Sequence, residues 1–305
     1  MVKSINFVVL GEQTIANDFG KKGTTTDLTL FDRKETDIIR TWVIPNGFPD
    51  KIQPLLQSIN LAEYVIFYFG SLDKYTGEQI VALDLLKKRD GIISHTYEVD
   101  ENRLNSMIKG TVLERYKKVR SSDIKQEINK LPLLSKEGKT KIVIDHCFDV
   151  KGVGTVVLGK VIQGKVKQYD NLKLLPSGKD IVIKSIQMHD ETVNEAISPA
   201  RVGLSLKDVK VDDIGRGDYL CEDDSESVTS EIELDFKQNP FYKGDVSVNQ
   251  MCLVSLGLQI KPGKVSSTNP FSIKMDKPLV LSNETAIILK PESQTIRILG
   301  SGKIH

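Results

Sequence analysis

The 305-residue sequence reads as an α/β unit followed by two all-β units, on three observations. Over residues 1–136, short continuous apolar runs alternate with a helical repeat, the pattern of a parallel sheet. From Lys141 the segments become short and β-branched, punctuated by glycine or Pro-Ser-Gly turns, as in a small antiparallel barrel. A second β-rich stretch begins near Ser230 and runs to the last residue. The expected units are residues 1–136, 137–226 and 227–305, two or three domains being usual at ~100–200 residues each.

Taken in order, residues 5–10 (INFVVL) form a short run that is apolar apart from Asn6 and stops at Gly11, which predicts a buried parallel strand feeding a loop. Residues 42–44, 64–69 (YVIFYF) and 91–94 (GIIS) are further strand candidates. Between the last two, TGEQIVALDLLKK sets Ile80, Leu83 and Leu86 at helical spacing. Thr76 is placed to cap that helix, and Lys87 and Lys88 suit its C-terminal end. A mixed polar helix is expected next, then a linker over residues 131–141. KIVID, TVVLGKVI, NLKLL and IVIKSIQ supply the first β unit. SEIELDF, MCLVSLGLQI, PLVLS, TAIILK and QTIRIL supply the second, with no tandem repeat along the chain.

A hydrophobic content of 39% and a charged content of 27% are those of a globular protein. The net charge of +1 neither demands nor excludes nucleic acid, because a local basic face can bind it. The best such face lies over residues 109–130, which hold Lys109, Arg115, Lys117, Lys118, Arg120, Lys125 and Lys130 against three acidic residues. A solvated helix face is the plainer account of that stretch. Cys147, Cys221 and Cys252 are far apart and form no CxxC, which predicts neither disulfides nor zinc. His146 and Cys147 are adjacent on a strand and face opposite ways, so no metal site is expected. There is no apolar run of ~18 residues and no basic-then-apolar start, so a cytoplasmic protein without membrane contact is expected.

Residues 145–223 carry a family resemblance nearly throughout. The elements F-x-V-x-G-x-G-T-V, G-x-V-x-x-G, V-K-S-I-Q-x-H, A-x-x-x-x-R-V-G-L-x-L and R-G-D stand in order. This stretch resembles domain II of translational GTPases of the elongation factor Tu type. The glycines Gly152, Gly154, Gly159 and Gly164 serve turns or close backbone approach. More faintly, AEYVIFYFGSLDKYTGEQIVALDLLKKRDGIIS and KKGTTTDLTLF resemble the first domain of SelB-like factors. The resemblance implies a P-loop GTPase-like sheet domain and two β-barrels, and it implies GTP and Mg²⁺ as ligands, with Thr25 of switch I helping to hold the metal. A counterpart of SelB's fourth domain is not expected, since the third unit runs almost to the last residue of this sequence.

The nucleotide motifs of that family are missing. A P-loop, G-x-x-x-x-G-K-[ST], cradles phosphates on backbone N–H groups, neutralises them with lysine and binds Mg²⁺ with a hydroxyl. Counted from Gly11, the sequence puts Ala16, Asn17 and Asp18 where Gly, Lys and Ser/Thr belong. A shorter loop aligned on KKGTTTD deletes these positions altogether, and nothing in the spacing supports Lys21 or Lys22 as substitutes. The D-x-P-G-H motif corresponds to IPNGF, where Ile44, Gly47 and Phe48 offer neither a metal ligand nor a water-orienting histidine. The guanine reader N-K-x-D corresponds to Ser94, His95, Thr96 and Tyr97, with tyrosine in place of the aspartate. No bound cofactor and no GTP hydrolysis are therefore expected.

The four histidines lack metal or catalytic spacing, and no G-x-S-x-G occurs, so no other enzyme class is indicated. The resemblance implies tRNA, the ribosome or both as partners of a monomeric protein, and no DNA. The family's aminoacyl pocket lies between its first two domains, which selects Arg201, Gln187 and His189 as RNA-contacting candidates. Lys117, Lys118 and Arg120 are the candidates for phosphate contact. The alternative expectation is a translational GTPase with an atypical nucleotide site that delivers a specialised aminoacyl-tRNA.

Overall fold

The computed structural model describes residues 2–223, 226–282 and 285–305. Among them, strands β1 (Lys3–Gly11), β2 (Lys21–Thr25), β3 (Thr29–Glu35), β4 (Ile38–Ile44), β5 (Tyr64–Phe69), β6 (Gly91–His95) and β7 (Lys117–Lys118) form the first sheet. Its order is β2-β3-β4-β1-β5-β6-β7. Strands β4, β1, β5, β6 and β7 are parallel, joined by helices α1 (Gln53–Leu61), α2 (Lys74–Leu85) and α3 (Glu101–Ile108). A short helix α4 (Ile124–Ile128) follows β7. Central strand β1 is buried on both faces, as its largely apolar sequence requires, and its buried Asn6 donates to Glu63 and the Pro199 carbonyl.

The fold extends two local expectations and corrects two more. KKGTTTDLTLF is an antiparallel hairpin, β2–β3, extending the sheet through β4. The candidate at residues 42–44 is the end of β4, whose Arg40 and Thr41 are buried in spite of their polarity. Asp73, not Thr76, caps α2: its Oδ1 accepts from the Tyr75 and Thr76 N–H groups, and Thr76 is buried. The basic stretch 109–130 is not one helix. Gly110 at φ +78° follows the end of α3, the Thr111 side chain accepts from Leu113 N–H to start a 3-10 turn, and the chain then passes into β7 and α4.

The second unit comprises β8 (Lys141–Val150), β9 (Gly154–Gln163), β10 (Lys165–Lys167), β11 (Asn171–Leu175), β12 (Lys179–Met188), β13 (Glu191–Val193), β14 (Glu195–Ile197), β15 (Arg201–Lys207) and β16 (Tyr219–Cys221). The ladder β11-β16-β8-β9-β15-β12 closes through a β11–β12 pairing, so this sheet is a barrel. Gly159 crosses β8 so closely that a Cβ would stand 2.5 Å from the Val143 carbonyl oxygen. The third unit comprises β17 (Val228–Leu234), β18 (Lys237–Gln238), β19 (Met251–Leu256), β20 (Gln259–Thr268), β21 (Phe271–Val280), β22 (Ala286–Leu289) and β23 (Ile298–Gly302). Its curled sheet, ordered β17-β21-β20-β19-β22-β23-β18, carries one bridge between its ends, Leu234 to Ile304.

The cores run across the units. Val8, Phe67 and Leu56 of the first sheet and its helix pack in one cluster with Ile287, Leu289 and Ile298 of the third. Leu28, Val43 and Leu61 meet Val143 and Tyr219 of the barrel and Leu258 and Val280 of the third sheet in another. The mixed α/β sheet, the closed barrel and the half-closed third sheet thus share apolar interiors rather than touching only at their rims.

Candidate functional site

The loop after β1 is where phosphate would have to bind, and its polar groups are already used inside the protein. Gly11 N–H donates to Gln79 Oε1 at 2.9 Å, and Glu12 N–H donates to the Tyr68 carbonyl at 2.7 Å. Residues Gln13–Asp18 then form a 3-10 turn in place of the long helix that follows a P-loop. Ala16 is fully buried in the core below the sheet; Asn17 donates to the Thr14 carbonyl, and Asp18 faces solvent. Gly11 itself is dictated by packing: at φ +76°, a Cβ would lie 2.1 Å from the Tyr68 carbonyl oxygen. Lys21 and Lys22 stand on β2, three strand spacings from β1, roughly 14 Å away in the sheet. These residues do not supply the donors, lysine and hydroxyl that GTP with Mg²⁺ requires.

The stretch aligned with switch II is part of the interior. Ile44 and Phe48 are 6% and 7% exposed, in the cores on the two faces of the sheet. The Phe48 ring meets Tyr75 edge-on at 6.0 Å and carries the Arg297 guanidinium 5.5 Å above it. Gly47 N–H donates to the Asp27 carbonyl, tying this loop to the β2–β3 hairpin. Thr25 is exposed on that hairpin, opposite Thr29.

The third lost motif is different, because it is open. At the carboxyl ends of β5, β6 and β7 lies a cleft of about 750 Å³. It gathers Ser94, His95 and Tyr97 with Lys118 and Arg120, which sequence reasoning had placed in two unrelated groups. His95 Nδ1 bonds the Thr96 carbonyl at 2.8 Å, and Nε2 lies 3.4 Å from Glu101. Tyr97 is 94% exposed. Lys117 is not part of this cleft, since alternation along β7 turns it toward α4, where it pairs with Glu127. Lys118 bonds Asn105 Oδ1 at 2.7 Å.

Gln187, His189 and Arg201 also come together, in a crevice of about 170 Å³ between the first sheet and the barrel. His189 lies in the turn between β12 and β13 with Asp190, both at positive φ, rather than within a strand. Arg201 is held by the fully buried Asp145 at 2.6 Å. Asp32 of β3 forms the facing wall.

Sequence reasoning missed the residues that join the units. Arg216 of the barrel grips Asp27 of the hairpin through both terminal nitrogens, at 2.6 and 2.8 Å, and also donates to Gln57 and the Asp145 carbonyl. Burial works to raise the Asp27 carboxyl, but the Arg216 bonds outweigh it and hold the group below its ordinary value. His146 beside Arg216 is lowered, first by burial and then by the guanidinium groups of Arg216 and Arg201, against the pull of Asp145. Arg297 of the third sheet caps the opposite seam: Nη2 meets Glu78 Oε2 at 2.5 Å, and Nη1 donates to the Pro49 carbonyl at 2.7 Å. Both partners are buried, at 8% and 3% exposure. Lys160 reaches from the barrel to Glu63 and the Leu61 carbonyl. A lone arginine inside the apolar run QTIRIL was the available hint for Arg297.

Among the described residues there is no group of three or more His, Cys, Asp or Glu arranged to hold a metal ion. No helix among them is long and apolar enough to cross a membrane.

Comparison with known proteins bears on this arrangement. The model of elongation factor Tu domain 2 matches residues 154–221. An uncharacterized protein of Methanocaldococcus jannaschii is 34% identical over 299 residues, covering 95% of this chain and 96% of its own length. The selenocysteine-specific elongation factor of the same organism is 31% identical over 166 residues, 53% of this chain and 33% of that factor. The chain therefore spans nearly all of the first relative and a third of the second. Among solved structures, translation elongation factor SelB from Methanococcus maripaludis, in complex with the GTP analogue GppNHp, superposes with a TM-score of 0.84 at 21% identity. That match covers all of this chain and 79% of that one.

Proposed function

Because the chain belongs to the SelB/elongation factor Tu-like family, we propose that it is a translation factor that binds tRNA, the ribosome or both without hydrolysing GTP. The observation that carries this reading is the contrast between an intact three-part body and a β1 loop whose N–H groups are spent on Gln79 and Tyr68. A nucleotide-driven switch works by making contacts in one state that it loses in the other. Here the hairpin resembling switch I is fixed to the barrel by Arg216, and the loop resembling switch II is fixed to the third sheet by Arg297. The body is therefore read as held in one arrangement by its own side chains.

In this reading the crevice with Gln187, His189 and Arg201 receives the end of a tRNA, and the protein acts as a cytoplasmic monomer. The test is retention of total tRNA and ribosomes from a methanogen on the immobilised full chain, washed across a salt series. Phosphate contacts predict retention that declines steadily as salt rises. Absence of retained RNA even at low salt would remove the translation-factor reading.

A further inference from the structure

Arg216 stands where the turn of the β2–β3 hairpin meets the barrel, and each of its donors has an acceptor. Nε–H donates to the Asp145 carbonyl at 3.0 Å, and Nη1 donates to Asp27 Oδ2 at 2.6 Å and to Gln57 Oε1 at 3.1 Å. Nη2 donates to Asp27 Oδ1 at 2.8 Å, and its second hydrogen is left for His146 Nε2, 3.3 Å away. A guanidinium has five N–H donors and no acceptor. His146 Nε2 is therefore the acceptor, and the neutral ring carries its proton on Nδ1.

This contact decides which charge state of the ring the junction tolerates. A second proton, on Nε2, sets one donor against another and puts a cation beside the guanidinium groups of Arg216 and Arg201. The acidic groups facing the ring are Asp145, its neighbour on β8 with Oδ1 3.9 Å from Nδ1, and Asp27 in the hairpin turn. Both carboxylates are already paired with those arginines. Gln57 of α1 and Leu158, opposite the ring on β9, add no charge. The ring is 18% exposed, so solvent protons reach it. Displacing Nη2 from the ring also disturbs its bond to Asp27, because both bonds leave the same nitrogen.

We propose that protonation of His146 Nε2 releases the turn of the β2–β3 hairpin from the barrel, making this junction a proton-operated catch between the first two units. The same hairpin supplies Leu30 and Asp32 to the wall of the crevice with Gln187 and Arg201, so the catch bears on that crevice whatever it binds. The test is amide hydrogen exchange of the full chain on peptides covering residues 22–31, for the parent and for His146→Gln. The Gln Oε1 can still accept from Nη2 but does not titrate near neutrality. A released ring with its ordinary value of 6.5 is protonated about ten to one at about pH 5.5. The parent's hairpin should therefore exchange about tenfold faster than the variant's at that pH, and at the same rate at about pH 7.5. Asp27→Asn breaks the clasp from its hairpin side and should exchange fast at both pH values. Equal protection of parent and His146→Gln at about pH 5.5 overturns the proposal. An acceleration shared equally by β5 and β19 also overturns it, since that is global unfolding rather than release of the hairpin. If His146→Gln does not fold, Asp27→Asn supplies the comparison. The parent's hairpin must then approach that variant's rate as pH falls, and a constant gap overturns the proposal.

Discussion

Two parts of the same sheet treat the stretches aligned with nucleotide motifs in opposite ways. The loops after β1 and β4 were absorbed into the structure: Ala16, Ile44 and Phe48 are buried, and the Gly11 N–H is bonded to a side chain. The loop after β6 was left open, with Tyr97 almost fully exposed. Sites that become core gain stability and can no longer respond to a ligand. A loop that stays open contributes little to stability.

The contrast predicts a graded set of stability effects, largest where the absorbed loops are fastened. Arg297→Ala strands the buried Glu78 carboxylate and frees the Pro49 carbonyl, so urea unfolding should report a loss of about 3–5 kcal/mol. A loss below ~1 kcal/mol would mean that the loop after β4 is not held by the third sheet. Gly11→Ala forces a Cβ against the Tyr68 carbonyl at positive φ and should cost roughly 3 kcal/mol by the same measurement. Arg216→Ala removes a bidentate pair whose Asp27 partner is partly in solvent, so screening reduces the expected loss to about 1–2 kcal/mol.

The junction around Arg216 also sets a pH dependence. His146 has a folded-state value below its ordinary one, so the unfolded chain binds more protons below about pH 6.5. Stability is therefore full above that pH and declines as pH falls toward 5. Replacing the ring in His146→Gln should flatten the slope of the melting temperature over this window, and an unchanged slope would exclude His146 as its source. Asp27, also depressed, contributes a further loss only below about pH 4. At the open end the comparison predicts almost nothing: Tyr97→Ala should leave unfolding within about 0.5 kcal/mol of the parent.

Much of the fold was legible because its cause is local. Largely apolar runs mark β1 and β5, and the turn glycines of the barrel stand where their backbones need them. The β2–β3 hairpin was not legible, since KKGTTTD is polar and is held by pairing to β3, which pairs in turn with β4, rather than by its own periodicity. The basic stretch 109–130 failed for a similar reason: its Lys117 and Lys118 are drawn into pairing with β6, between short turns and α4, so no single helix runs through it. The departures from the aligned nucleotide motifs, Asn17, Phe48 and Tyr97 among them, can be read residue by residue. The cleft uniting Ser94 and Tyr97 with Arg120 was not, because β6 and β7 become neighbours only in the folded sheet. The ion pairs across the seams were equally invisible, because Asp27 with Arg216 and Glu78 with Arg297 are separated by 189 and 219 positions.

The claim that most depends on this contrast is that the closed loops no longer receive a guanine nucleotide. Thermal unfolding of the full chain with 1 mM GTP or GDP and Mg²⁺ tests it directly. A ligand present at a hundredfold its Kd adds ~2.7 kcal/mol of stability. For a chain of this size that would raise the melting temperature by about 5 °C or more. The account predicts a shift of less than about 1 °C with either nucleotide. A saturable rise of about 5 °C that requires Mg²⁺ would contradict it and restore the nucleotide to the β1 loop.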